Sequence, residues 1–249
     1  MKLTNINGRW PLFLPEHRAD RPEWPWWEAA RLAAMHHVIT GLVANAGHQR
    51  PVVLDVGTEE GDFPGLWSSW GADVVLVEPN PRVWPNVRAI FEGNELRTPL
   101  ASFVGFCGDE PRGDDTPEWT VGGWPACADG PLIGDHGFCQ LNERPDLPVV
   151  TVDALVEAIT GAGHEAPAVI TMDVEGSEYH VLRGASRTLE QHRPHVFVSV
   201  HPEFMAEQYG HMAGVDMIRA VMDAHGYHEV FLAIDHEHHW WFSPTEVLR

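Results

Sequence analysis

Apolar residues recur along this chain in two rhythms. In the stretch 26–45, Leu32, Met35, Ile39, Leu42 and Val43 return at helical spacing, with Pro25 before and Gly47 after, so a helix is predicted there. From Pro51 onward, short apolar runs alternate with helical stretches. The runs 52–56, 73–77 and 103–107 read as strands, with helices near 63–70 and 84–92 between them. Two further buried-type strands, 169–172 and 196–200, flank a helix around 178–190. The segments 229–234 and 239–242 predict a closing hairpin. Residues 108–148, rich in Gly, Pro and Asp, interrupt the alternation and read as an irregular insertion. Strands alternating with helices predict an α/β fold around a mostly parallel sheet.

The first 28 residues follow neither rhythm and are crowded with Trp10, Pro11, Pro15, Pro22, Trp24, Pro25, Trp26 and Trp27. The chain is therefore divided into 1–48, a Trp/Pro-rich arm with its helix, and 49–249, the α/β domain with its insertion. Two uses of the arm are open. It can be packing that covers a sheet edge or joins copies in a homo-oligomer, or it can be a substrate lid with aromatic walls.

Composition narrows the partners. Among 249 residues, 16 Lys+Arg stand against 36 Asp+Glu, a formal charge of −20, and Lys2 is the sole lysine. Such a surface repels phosphate backbones, so nucleic acid is excluded as a partner. No apolar run approaches the roughly 18–20 residues that span a bilayer, and the N-terminus lacks the apolar core of a signal peptide. Cys107, Cys127 and Cys139 are odd in number and show no CxxC spacing, which argues against a disulfide framework or a zinc ribbon. The expectation is a cytoplasmic protein with no membrane partner. The 16 histidines, many of them late in the chain, call for a separate account.

The most informative stretch is Asp55-Val-Gly57-Thr-Glu59-Glu60-Gly61, a buried strand running into Asp-x-Gly-x-x-x-Gly and then a helix. Glycines there let backbone approach a ligand closely. An acid replaces the first glycine of the dinucleotide fingerprint, and Glu59 and Glu60 add charge that a diphosphate disfavours. A ligand with a cationic centre fits better, and S-adenosylmethionine carries an ammonium and a sulfonium. Glu78 ends the second strand about 20 residues past Gly57, where α/β nucleotide folds place a carboxylate on two ribose hydroxyls. Asp109, after the third strand, is a candidate for the adenine amino group, and equally an ordinary loop aspartate.

The fourth strand brings Asp173 and Glu175 to the same carboxyl edge, with Glu178 opening the next helix. The fifth delivers His201, which can serve as a general base, a metal ligand or a structural histidine. The run Asp235-His236-Glu237-His238-His239 is not the HExxH zinc motif. In a hairpin, His236 and His238 share one face while Glu237 and His239 take the other. A divalent metal held by Asp173, His201 and His236 is one reading; mixed O/N ligation admits Mg, Mn, Fe or Zn. A polar wall that hydrogen-bonds a substrate is the other.

These motifs resemble the FkbM-type S-adenosylmethionine-dependent methyltransferases. The resemblance rests on VVLDVGTEEG at 52–61, VVLVEPNP at 74–81, VVTVDALVEAI at 149–159 and VITMDVEGSEYHVLRGASRTLEQHRPHVFVSVHPEF at 169–204, and it runs roughly from Arg50 to Phe242. It implies a class I methyltransferase (Rossmann-like) fold with a seven-stranded, mostly parallel sheet whose last strand is antiparallel, plus the N-terminal helical arm. It also implies methyl transfer to an oxygen, with hydroxyls of sugars, polyketides and other secondary metabolites as acceptors, and it sets His236, Glu237 and His239 near the active site. Thr58-Glu59 stands where the family commonly has Ala-Asn, and Thr171-Met172 where it has Lys-Ile.

The reading is an O-methyltransferase for a small hydroxylated acceptor. Asp55, Gly57, Gly61, Glu78 and Asp109 hold the cofactor, and Asp173 and His201 perform the chemistry. Two rivals are a cofactor-binding module without catalysis and a nucleotide-dependent oxidoreductase. The second lacks a Tyr-x-x-x-Lys pair.

Overall fold

Short runs buried on both sides, at 52–56, 73–77, 169–173 and 195–200, become the sheet. The computed structural model describes residues 1–47, 49–112, 119–134, 146–210 and 213–246. It begins with a hairpin, β1 (Lys2–Ile6) and β2 (Trp10–Leu14), a short helix α1 (Glu16–Ala19) and the long α2 (Ala29–Asn45). Then follow β3 (Val52–Val56), α3 (Asp62–Ser69), β4 (Asp73–Val77), α4 (Trp84–Gly93), β5 (Ala101–Phe103), β6 (Phe106–Cys107) and β7 (Trp119–Val121). The second half holds β8 (Val149–Val150), α5 (Val152–Gly161), β9 (Val169–Asp173), α6 (Glu178–Arg183), α7 (Ser186–Gln191) and β10 (His195–Val200). Helices α8 (Pro202–Tyr209) and α9 (Ala213–Ala224) lead to the closing hairpin, β11 (His228–Ile234) and β12 (His238–Ser243).

The main sheet has eight strands in the order β11-β12-β10-β9-β3-β4-β5-β7. Strands β5, β4, β3, β9 and β10 are parallel, β12 runs antiparallel to β10, and β11 antiparallel to β12. The expected seven strands with an antiparallel last one are thus joined by an eighth. It is β7, which lies in the stretch expected to be irregular and pairs antiparallel with β5 at the sheet edge. A short strand there covers unpaired backbone groups that would otherwise face outward. The single third strand expected at 103–107 divides: β5 stays in the main sheet, while β6 pairs with β8. Parts of the insertion, 113–118 and 135–145 with Cys139, lie outside the described residues.

The helix expected at 178–190 is also two helices. A Cβ at Gly184 would stand 2.1 Å from the Gly108 carbonyl oxygen, so the break lets two backbones touch. The arm differs too: 1–28 is a hairpin and a short helix rather than an irregular lead-in, and α2 starts at Ala29 instead of Trp26.

Apolar cores lie on both faces of the sheet. On one, Leu54, Val56, Ile170, Met172, Val198 and Val200 meet helices α5, α6 and α9 through Leu155, Val181 and Ile218. On the other, Val53, Val74, Val169 and Phe197 meet Leu32 and Met35 of α2 and Trp67 of α3, together with Ile6, Leu12, Leu14 and Trp24. Each buried leucine or isoleucine there stabilises by roughly 1.5–3 kcal/mol. This second face changes character along the strands. By period-2 alternation, Val53 is followed on it by Asp55, Val169 by Thr171 and Asp173, and Phe197 by Ser199 and His201. The amino ends are packed, and the carboxyl ends are polar. No helix among the described residues is long and apolar enough to cross a membrane.

Candidate active site

The turn after β3 brings the predicted loop and Glu78 together. Gly57 N–H donates to the Val77 carbonyl at 2.9 Å, and Glu78 accepts from the backbone amides of Glu59 at 2.9 Å and Asn80 at 2.7 Å. The Glu78 carboxylate is buried and aimed by two fixed donors. An ionised carboxylate is an acceptor only, the chemistry that suits hydroxyl donors. Gly57 has φ +84°, and a Cβ on it would stand 1.9 Å from the Asp173 carbonyl oxygen. That position admits only glycine, and it draws the ends of β3 and β9 together. Gly61, with φ +90°, caps α3.

Asp55 points into the second face. Its Oδ1 accepts from Trp67 Nε1 at 3.0 Å, while Oδ2 is buried without a hydrogen-bond partner. Burial pushes its carboxyl up to about 6 against the opposing pull of Trp67 and Arg31. An orphaned buried carboxylate oxygen, a glycine cradle and an anchored Glu78 together fit a ligand with ribose hydroxyls and a cationic centre.

The N-terminal segment completes this loop. Arg18 of α1, itself buried, donates to both oxygens of Glu59 at 3.0 Å and to Asp62, and His17 meets Glu60. Asn86 adds a bond to Glu60 at 2.7 Å. The loop acids Glu59 and Glu60, expected to favour a cationic cofactor, are therefore matched inside the protein.

Beyond β9 and β10, His201 sits inside a ring of acids. Its Nδ1 lies 2.8 Å from Glu178 Oε1; its Nε2 lies 3.5 Å from Asp173, 3.3 Å from Glu175 and 3.2 Å from Glu237. Burial alone would lower the imidazole, but contacts with Glu178 and Glu237 and the charge of Asp173 raise it to about 12. Asp173 moves up as well, through burial and the nearby Glu237, against the pull of His201 and Arg31. The two shifts share one cause: the acids around His201 favour a proton on its ring, and Asp173 and Glu237 crowd each other.

Among the described residues, metal-compatible groups are Asp173/Glu175/His201, Glu28/His236/Glu237 and Asp235/His236/His239. The expected triad Asp173/His201/His236 does not converge on one point, because Glu237 stands between the two histidines, with Oε1 2.9 Å from His236 Nε2. The alternation expected in the hairpin holds for Glu237 and His239, which are both buried. His239 links Ser199 at 3.1 Å to Asp235 at 2.8 Å, a buried stitch across the strands. Asp109 lies apart from Glu78 in its bonding. It is paired with His180 and Arg183 of α6, each at 3.2 Å, and would have to leave them to meet an adenine.

Sequence reasoning passed over four contributors. Glu28 and Arg31 of the N-terminal half pair beneath the acids, and Arg31 also donates to Thr171 at 2.7 Å. Trp27 lays its ring 4.2 Å from His236. Glu178, read only as a helix-start acid, orients His201. Its signal was the Asp-Val-Glu-Gly-x-Glu spacing, which places it one turn after Glu175.

A family model described as Methyltransferase FkbM domain matches residues 55–229. The chain belongs to the FkbM methyltransferase family. The FkbM methyltransferase structure from Methylobacillus flagellatus KT is 16% identical with a TM-score of 0.50, covering 84% of this chain and 50% of that one. WbdD is 15% identical, also at 0.50, covering 92% of this chain and 44% of the other. At these identities the likeness is one of fold, and this FkbM-family chain spans about half the length of those structures or less. A search of curated proteins finds no match.

Proposed function

We propose that this FkbM-family chain is an S-adenosylmethionine-dependent O-methyltransferase acting on a hydroxyl of a sugar or secondary metabolite. The observation that carries the reading is the Glu78 carboxylate, held by the Glu59 and Asn80 amides beside the Gly57 turn. Glu78 would take the ribose hydroxyls, Gly57 and Gly61 would give room along the loop, and Asp55 would answer the ammonium. The cofactor, when bound, supplies an electrophilic methyl group on a sulfonium.

The protein's share is positioning and proton removal. Asp173, raised by burial and by Glu237, would accept the acceptor's hydroxyl proton. His201, held by Glu178, fixes the acids around it, and Trp27 and His236 wall the cluster on the N-terminal side.

Calorimetry with S-adenosylhomocysteine, NAD and NADP tests the cofactor, and labelled-methyl transfer to hydroxylated acceptors tests the reaction. S-adenosylhomocysteine should bind, and Glu78→Ala should weaken it by at least about tenfold, the loss of one to two charge-assisted hydrogen bonds. Binding of NAD alone, or unchanged affinity in Glu78→Ala, overturns the reading.

A further inference from the structure

We propose that Asp173, Glu175 and His201 form a divalent-metal site for an ion of the Mn(II)-to-Zn(II) class, with one imidazole nitrogen and two carboxylate oxygens as protein ligands and Glu237 at its edge, 3.2 Å from His201 Nε2. The first argument is spacing. His201 is 3% exposed, and its Nε2 makes no hydrogen bond while facing three carboxylate oxygens at 3.2, 3.3 and 3.5 Å. A charge-assisted N–H···O bond closes to about 2.7–2.9 Å. Ligands sharing one ion at about 2.1 Å, with angles between octahedral and tetrahedral, stand about 3.0–3.4 Å apart. The distances from Nε2 to Glu175 and Glu237 have the second spacing, and Asp173 at 3.5 Å lies just beyond it.

The other side of the ring supports the same assignment. Nδ1 meets Glu178 Oε1 at 2.8 Å, and that oxygen also accepts the Gly176 N–H at 3.0 Å. Metal-binding histidines characteristically give their second N–H to a carboxylate, which presents the free nitrogen to the ion. Glu178, fully buried, does this for His201. Glu175 reaches the cluster because it takes φ +53° and is followed by Gly176 at +95°, which turns the chain back toward Asp173. Glu237 Oε2 is buried without a hydrogen-bond partner. Two cations adjoin the cluster: Arg31 is 3.9 Å from the second oxygen of Asp173, and His236 is 2.9 Å from the Glu237 oxygen that also faces His201. An ion at the centre takes the place the Nε2 proton holds in its absence. His236 then orients Glu237 rather than binding the ion, which exchanges one ligand of the expected triad.

The use of such an ion rests on the proposed function: at the carboxyl edge of β9 and β10 it would act as a Lewis acid toward the acceptor oxygen. Its existence does not, so binding is tested alone. Mn²⁺ titrated into the full chain, followed by the loss of the free-ion EPR signal and by Zn²⁺ competition, should show one ion per chain. His201→Gln and Asp173→Asn should weaken it at least about tenfold, and Glu178→Gln by a similar factor. Glu175→Gln, on a partly exposed turn, should do the same and keeps the test open should the buried variants lose their circular dichroism. His236→Gln should bind within about twofold of wild type. If neither Mn²⁺ nor Zn²⁺ binds while S-adenosylhomocysteine does, the site is wrong and the methyltransferase reading stands. If the ion survives Glu175→Gln and is lost in His236→Gln, it belongs to the histidine turn and the assignment fails. An ion bound as described, with no S-adenosylhomocysteine binding, upholds the site and sinks the proposed function alone.

Discussion

Arg31 donates from Nη2 to the Thr171 hydroxyl at 2.7 Å, so a helix that precedes the first parallel strand delivers a buried guanidinium to the strand end that carries Asp173. Thr171 stands where the resemblance to the FkbM family leads one to expect lysine. Arg31 brings a cation to that strand end from α2. Arg31→Met leaves Glu28 buried without its partner and should cost about 3–5 kcal/mol. Thr171→Val, which loses one hydrogen bond to a charged group, should cost about 1.5–3 kcal/mol. Thr171→Lys should destabilise the wild type, where two cations crowd, and partly rescue Arg31→Met. Thermal melts decide; equal losses in both backgrounds would refute the exchange.

Arg18 ties α1 to the loop between β3 and α3 through Glu59 and Asp62. Arg18→Met should destabilise by about 3–5 kcal/mol, because Asp62 is left buried and unpaired. Adding Asp62→Leu should recover most of that loss, since a buried pair replaced by apolar groups is often neutral. Urea midpoints read both variants. S-adenosylhomocysteine affinity should fall in the single variant, whose loop has lost its anchor.

Gly57→Ala tests the approach of β3 to β9. A methyl 1.9 Å from the Asp173 carbonyl forces the strand ends apart, and φ +84° adds strain. A loss of at least about 2 kcal/mol is expected, with weaker binding of S-adenosylhomocysteine. A folded variant of wild-type affinity would show that the loop does not grip the ligand.

Asp55 carries a pH signature. Burial raises its carboxyl from 3.8 to about 6, so between those values the native chain binds more protons than the unfolded one. The stability this group contributes is present at low pH and is lost as pH rises through that window, with a slope of at most about 1.4 kcal/mol per pH unit. Binding of a cationic ligand should move the other way and tighten as Asp55 ionises. Asp55→Asn should flatten both profiles, measured by denaturation and calorimetry from pH 4 to 7.

Burial pushes the Cys107 thiol well above its ordinary range. Iodoacetamide at pH 8 should leave Cys107 unmodified in the folded protein and label it after denaturation, as read by peptide mass spectrometry. Rapid native labelling would mean that β6 opens readily from β8.

Much of this fold is legible in the sequence, because buried parallel strands are short apolar runs with little ambiguity. β3, β4, β9 and β10 fall within a residue of where those runs place them. What is not legible depends on distant partners. β7 exists because β5 offers an edge; α6 and α7 separate because Gly108 presses on Gly184. The site follows the same division. Gly57, Glu78, Asp173 and His201 announce themselves at strand ends. Arg18, Glu28 and Arg31 lie in a segment without a motif, and only folding brings them under the crevice. The hydrophobic rhythm of 1–28 is obscured by Pro and Trp, so its hairpin is invisible until Ile6, Leu12 and Leu14 are seen in the core.

The family match starts at Asp55, yet Arg18 and His17 neutralise its first loop and Arg31 reaches into its fourth strand. The unit that heredity preserves and the unit that folds have different borders. A chimera cut where the recognisable domain begins would inherit Asp62 without its Arg18 partner and Glu60 without His17. Exchange between relatives would succeed only if the leading hairpin travelled with the domain it guards.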